Sequence, residues 1–192
     1  MSHEHLAEHG NEHGGHKKIA IFIAVLAALL ALAETGGKSA QTAALFHNID
    51  ATNLWQFFQA KTIRRTTVET AADALQLDIA LARDPATKQI LEKRVADWRA
   101  TAARYRSEPE TREGSQELAP RAKEAERKRD LYMEKYHHFE LGSAAFQIGI
   151  VLASVYLITH MIFMLWGAGL VAALGLAFTI IGLFFPSLVH LF

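Results

Sequence analysis

Residues 141–192 read LGSAAFQIGIVLASVYLITHMIFMLWGAGLVAALGLAFTIIGLFFPSLVHLF and contain no Asp, Glu, Lys or Arg. An uncharged apolar run of 52 residues is too long for one core helix and suffices for two membrane crossings at roughly 20 residues each. The stretch therefore predicts an all-α integral membrane protein. A span over 139–160 carries Gly142, Ala145, Gly149, Ala153, Tyr156 and His160 on one face, and a span over 168–188 carries Ala168, Ala172, Gly175, Thr179 and Gly182. Small residues at this spacing let helix backbones approach closely in lipid, where packing drives association in place of the hydrophobic effect. Trp166 suits a membrane interface, and Gly167 and Gly169 permit a tight reversal, so the turn is expected over 161–167.

Towards the N-terminus, Ile19 to Ala33 is a second apolar run. Lys17 and Lys18 before it, with Glu34 and Lys38 behind, can snorkel and extend it to a full first span over 19–38. Residues 34–38, ETGGK, offer no small-x-small cleavage site, so this span is expected to be retained. Ala20, Ala24, Ala27 and Ala31 form a small-residue face that leads to Glu34. Glu34 is either interfacial, the expected case, or a buried carboxylate with a partner. With Gln147 and His160 it makes a possible polar membrane site.

Between the spans, residues 35–138 hold 18 of the 20 Lys and Arg and 15 of the 20 Asp and Glu. This mixed-sign surface argues against nucleic-acid binding. No Pro or Gly interrupts 39–83, where Leu54, Phe58, Lys61, Arg65, Val68, Ala72, Leu75, Ile79 and Ala82 keep the alternating spacing of a coiled-coil seam. Lys61 and Arg65 break its apolarity; they can specify register or meet an acidic partner, but are expected to face solvent. Asp84-Pro85 reads as N-cap and first position of a second helix ending near Ser107. A breaker-rich connection with Pro109, Gly114, Ser115 and Pro120 follows, and a third helix then runs without interruption into the span at 139. The expected result is a helical, coiled-coil-like domain over 39–138, tied to the membrane at both ends. Lys38, Arg121, Lys123, Arg127, Lys128, Arg129 and Lys135 on its side outnumber Lys17 and Lys18 opposite, which predicts a cytoplasmic domain.

The polar tail over residues 1–18 carries His3, His5, His9, His13 and His16, interrupted by Glu4, Glu8 and Glu12. Imidazoles one turn apart suit Zn, Ni or Cu, although Gly10, Gly14 and Gly15 favour a solvated tail over a stable helix. Three spans put this tail on the same side as His160. The chain has no cysteine, and no glycine-rich phosphate loop, H-E-x-x-H or G-x-S-x-G motif. No enzymatic activity is expected.

The block 53–64, NLWQFFQAKTIR, following an N-terminal span, resembles the bacterial membrane-protein family catalogued as domain of unknown function 4337. The overall plan is similar too: a polar start, one span, a charged helical region and a pair of spans. The resemblance implies a bacterial inner-membrane protein and supplies no activity. Within the block, Trp55, Phe57 and Phe58 read as packing residues, and Gln59 with Lys61 as a possible polar contact site. The expected function is a non-enzymatic scaffold or accessory subunit that meets the bilayer and either itself or a larger membrane complex. The alternative is an oligomeric ion- or metal-handling protein using the His-rich tail.

Overall fold

The computed structural model describes residues 4–188, and side chains over 16–187. Four helices follow one another: α1 (Glu4–Leu81), α2 (Pro85–Arg106), α3 (Ser115–Thr159) and α4 (Ile162–Phe184), with a short 3-10 turn at Pro186–Leu188. No strand occurs among the described residues. Three of the helices are long and apolar enough to cross a membrane.

Helix α1 runs 78 residues unbroken, because no proline precedes position 85. Each mid-helix glycine costs roughly 1 kcal/mol relative to alanine, yet α1 passes straight through Gly36-Gly37. A contact accounts for Gly36: a Cβ there would lie 2.7 Å from the Phe139 ring, so only glycine lets that ring sit against the backbone. At the other end of α1, Asp84 in extended conformation accepts hydrogen bonds from the Ala86 and Thr87 amides, at 3.4 and 2.9 Å, and from the Thr87 hydroxyl at 2.6 Å. These bonds, the hydroxyl foremost, hold its carboxyl below the ordinary aspartate range and satisfy amides that the first turn of α2 leaves unpaired.

The reversal between α3 and α4 is shorter than expected and lies earlier. It occupies His160 and Met161, and α4 begins at Ile162, so Trp166, Gly167 and Gly169 belong to the helix and not to a loop over 161–167. The reason is local. His160 adopts φ 54°, and its amide donates to the Tyr156 carbonyl at 2.8 Å. This is the left-handed C-terminal cap that glycine usually supplies, taken here by a residue type that tolerates it better than most.

The chain divides into two compact units. The first, Met1–Ala44 with Asp130–Phe192, has an apolar core of Leu26, Ala33, Ala40, Phe139 and Phe146. Its buried positions recur every seventh residue: Ile19, Leu26, Ala33 and Ala40 on α1; Phe139, Phe146 and Ala153 on α3; Ala168, Gly175 and Gly182 on α4. Seven residues make two turns, so each helix keeps one seam towards its neighbours, as in a coiled coil. Along α3 and α4 the small residues carry the contact. Gly142, Gly149, Ala168, Gly175 and Gly182 are buried and Ala172 is half-buried, and a Cβ on Gly175 would meet the Gly142 carbonyl at 3.0 Å and Phe146 at 3.1 Å. The small-residue face of α1 behaves differently. Ala20, Ala24, Ala27 and Ala31 are all exposed, so within the chain α1 packs through the seam of Leu26, Ala33 and Ala40.

The second unit, Leu45–Arg129, buries Ala51, Ala72, Val95, Ala102, Leu118, Ala122 and Ala125. Leu54, Phe58, Val68, Leu75, Ile79 and Ala82 of the coiled-coil-like seam are half-buried. Its core is narrow and alanine-rich, which leaves polar contacts a larger share of its cohesion.

Two glycines of α4 give a direct test of the packing. Gly175→Leu is expected to lower the thermal midpoint of the detergent-solubilised protein followed by circular dichroism, at a cost of about 1–3 kcal/mol for overpacking. Gly169→Leu should leave it unchanged, since nothing lies within 4 Å of that position.

Candidate functional site

The aromatic block 53–64 lies on the part of α1 that belongs to the charged unit. The Trp55 indole donates through Nε1 to Glu126 Oε1 at 2.9 Å and meets the Phe58 ring edge-on at 5.4 Å. Gln59 is exposed, so it does not converge with Lys61. Lys61 departs from expectation: it does not face solvent. Only 7% of it is accessible. Its Nζ lies 3.5 Å from Glu108 Oε2 and 3.7 Å from Glu113 Oε2, and over the rings of Phe57 and Tyr105 at 5.2 and 5.6 Å. An ammonium withdrawn from water requires compensating charge; the connection after α2 supplies two carboxylates and the neighbouring aromatics supply their π faces. Arg65, one turn on, is half-buried and reaches Glu69 at 3.8 Å, and its Nε makes no hydrogen bond.

Glu108 joins this cluster to the rest of the connection. Its other carboxylate oxygen faces Arg104 at 3.4 Å, and its amide donates to Glu117 Oε2 at 3.2 Å. The Ser107 hydroxyl donates to Glu117 Oε1 at 2.6 Å and is the main cause holding the Glu117 carboxyl below its ordinary range. Arg121 donates to the Arg112 carbonyl at 3.0 Å, where the backbone turns through φ 56°. The segment 107–114 is thus held by Lys61 from α1 and by Glu117 and Arg121 from α3. Glu108, Glu113 and Glu117 were not singled out from sequence, and Ser107 only as the end of α2; the signal for Glu108 and Glu113 was the lysine itself, standing where the seam demands burial.

In the apolar unit, Gln147 donates to Glu34 Oε1 at 3.4 Å, so two members of the possible polar site meet. They adjoin an open groove of about 330 Å³ floored by Ala33, Gly37 and Phe139 and edged by Glu34, Lys38, Gln41, Tyr136, Glu140 and Ser143. The Tyr136 hydroxyl donates to Glu140 Oε1 at 3.2 Å, and the adjacent carboxylate pushes the phenol above its ordinary range. His137 also reaches Glu140, at 3.6 Å. His138 turns the other way. It is fully buried, engages the Glu134 carbonyl through Nδ1 at 2.7 Å, and leaves Nε2 without a hydrogen bond.

His160, the third member, does not join Glu34. It lies thirteen residues beyond Gln147, about 20 Å along the axis at 1.5 Å per residue. It meets His16 instead, with ring centroids 5.4 Å apart, and Tyr156 at 6.3 Å. The side chains of His3, His5, His9 and His13 lie outside the described residues. Among those described, no three metal-ligating side chains gather.

The family described as a domain of unknown function, DUF4337, matches residues 15–185 of the chain. The match takes in the aromatic block, the Lys61 cluster and all three apolar segments. No match was found among curated proteins or solved structures.

Two substitutions examine the lock on the connection. Lys61→Ala leaves Glu108 and Glu113 without their shared cation and is expected to destabilise the charged unit by about 1–3 kcal/mol, read as a lowered urea midpoint. Glu117 has its folded pKa below the ordinary 4.5, so its contribution is complete above pH 4.5 and is lost as pH falls through the lower folded value. Glu117→Gln should therefore lower the midpoint at pH 7, and the difference from the parent protein should shrink steadily as the pH is taken below 4.5.

Proposed function

The chain belongs to that family, and from this premise we propose that it is a non-enzymatic scaffold or accessory subunit of the bacterial inner membrane, assembling through small-residue faces of its membrane helices and through its helical domain. The observation that carries the reading is the face of α1 left over after the chain has packed. Leu26, Ala33 and Ala40 are used inside, whereas Ala20, Ala24, Ala27 and Ala31 remain exposed. Exposed larger residues flank them, with Ile21 at 57%, Val25 at 51% and Leu32 at 67% accessibility. In lipid, a shallow row of methyl groups between taller ridges gives a second helix the closest backbone approach and the most dispersion contact. A second copy of the chain, or a partner's membrane helix, is the natural occupant.

The remaining features fit a protein that joins and spaces others. The connection of the charged unit is held by Lys61 and Glu117, and the unit presents a mixed-charge surface. The excess of Lys and Arg beside the spans favours the cytoplasm for it. The carboxylates of the lock are engaged in ion pairs and hydrogen bonds, an arrangement suited to holding segments together and not to transferring protons to a substrate.

The absence of cysteine from the chain makes the test clean. Ala27→Cys in native membranes is expected to cross-link, to itself or to one partner, under mild oxidation. Adding Ala20→Leu and Ala24→Leu should reduce that product severalfold while leaving the folding stability within about 0.5 kcal/mol of the parent, as expected for surface positions. Cross-linking that is undiminished by the two leucines, or absent from the start, contradicts assembly through this face.

A further inference from the structure

We infer that His16 and His160 are two ligands of one divalent transition-metal site, at the end of the apolar bundle where the His-rich tail enters and α3 reverses into α4. The inference is independent of the assembly reading above. It begins from the placement of two imidazoles 144 positions apart in the chain. Their ring centroids lie 5.4 Å apart with the planes at 81°. A zinc ion bound by one nitrogen of each ring at about 2.1 Å, with a tetrahedral angle between them, puts the two centroids about 5 Å apart. The pair therefore stands near the separation that a shared ion requires, before any ion is bound.

One of the two rings is well anchored. His160 is fixed by its left-handed backbone, by the amide bond to Tyr156 and by the edge contact with the Tyr156 ring. Both histidines are exposed, which leaves the rings open to an ion from solution. Two imidazoles are half of a tetrahedral set. Water can complete it. A donor set of imidazoles without thiolates suits Zn, Ni or Cu(II) and disfavours Ca and Mg, which take oxygen ligands. The plain competitor is an edge-to-face ring contact that only packs the end of the bundle.

The test is zinc titration of the full-length chain in nanodiscs by calorimetry, with cobalt absorption as a second readout of tetrahedral nitrogen ligation. His160→Asn is the informative variant, because asparagine also tolerates the left-handed backbone and so keeps the reversal while removing the imidazole. The parent protein is expected to bind one zinc per chain at micromolar concentration or below. His160→Asn and His16→Gln should each weaken binding tenfold or more, as the loss of a ligand costs at least what loss of an outer-shell partner does, and His47→Ala should change nothing. Removal of residues 1–15 should leave zinc binding measurable, because His16 and His160 both remain; complete loss of binding would overturn the pair. Parent-like binding by His160→Asn would show that the tail alone carries the metal, and absence of binding by the parent would leave only the ring contact; either result overturns the inference.

Discussion

Where α3 crosses α4, the carbonyl of Gly142 lies 3.0 Å from where a Cβ on Gly175 would sit, and the arrangement of the apolar unit depends on that approach. Lipid tails are as apolar as the side chains of a membrane helix, so helices proposed to cross a bilayer gain little from being merely hydrophobic and gain by close packing. Glycine and alanine at every seventh position of α4 provide it: Phe146 of α3 sits against Gly175, and Leu26 of α1 sits against Gly149 of α3. The same need explains why Gly36 can sit inside a 78-residue helix: the Phe139 ring uses the room that a side chain there would take.

The charged unit meets the complementary problem. Its buried core is rich in alanine, and its seam contains a lysine where a coiled coil calls for an apolar residue. Charge pairing compensates for part of what burial cannot give. Lys61 is withdrawn from water only because Glu108 and Glu113 come to it, and this brings the connection after α2 against α1. Removing either side of such a pair costs more than the pair contributes, because the remaining charge is left partly desolvated. The lock therefore specifies the path of the connection more than it adds stability.

Much of this architecture was legible from residue order. The uncharged run from Leu141 fixes two apolar helices, Asp84-Pro85 marks the start of α2, and the lack of any breaker between Tyr136 and Leu141 lets α3 continue into the apolar run. Three features were hidden, each for a physical reason. The reversal at His160 was displaced towards Gly167 because a left-handed cap is usually written with glycine, and here histidine fills it. The inward face of α1 is set by its seven-residue seam; the alanine row beside it, read by size alone, points elsewhere. Lys61 could not be assigned, since its carboxylates lie 47 and 52 positions away. Of the possible polar site, the Glu34 and Gln147 pairing follows from facing helices. The meeting of His160 with His16 follows from counting spans, which puts both at one end.

The most direct measurement of the central claim, that this is an assembling membrane protein, is the mass of the native particle extracted into nanodiscs at its natural abundance, with co-purifying chains identified. The account predicts either a defined multiple of the 21.3 kDa chain or a stoichiometric complex with a second membrane protein. A uniform population of single 21.3 kDa chains without a partner would contradict it.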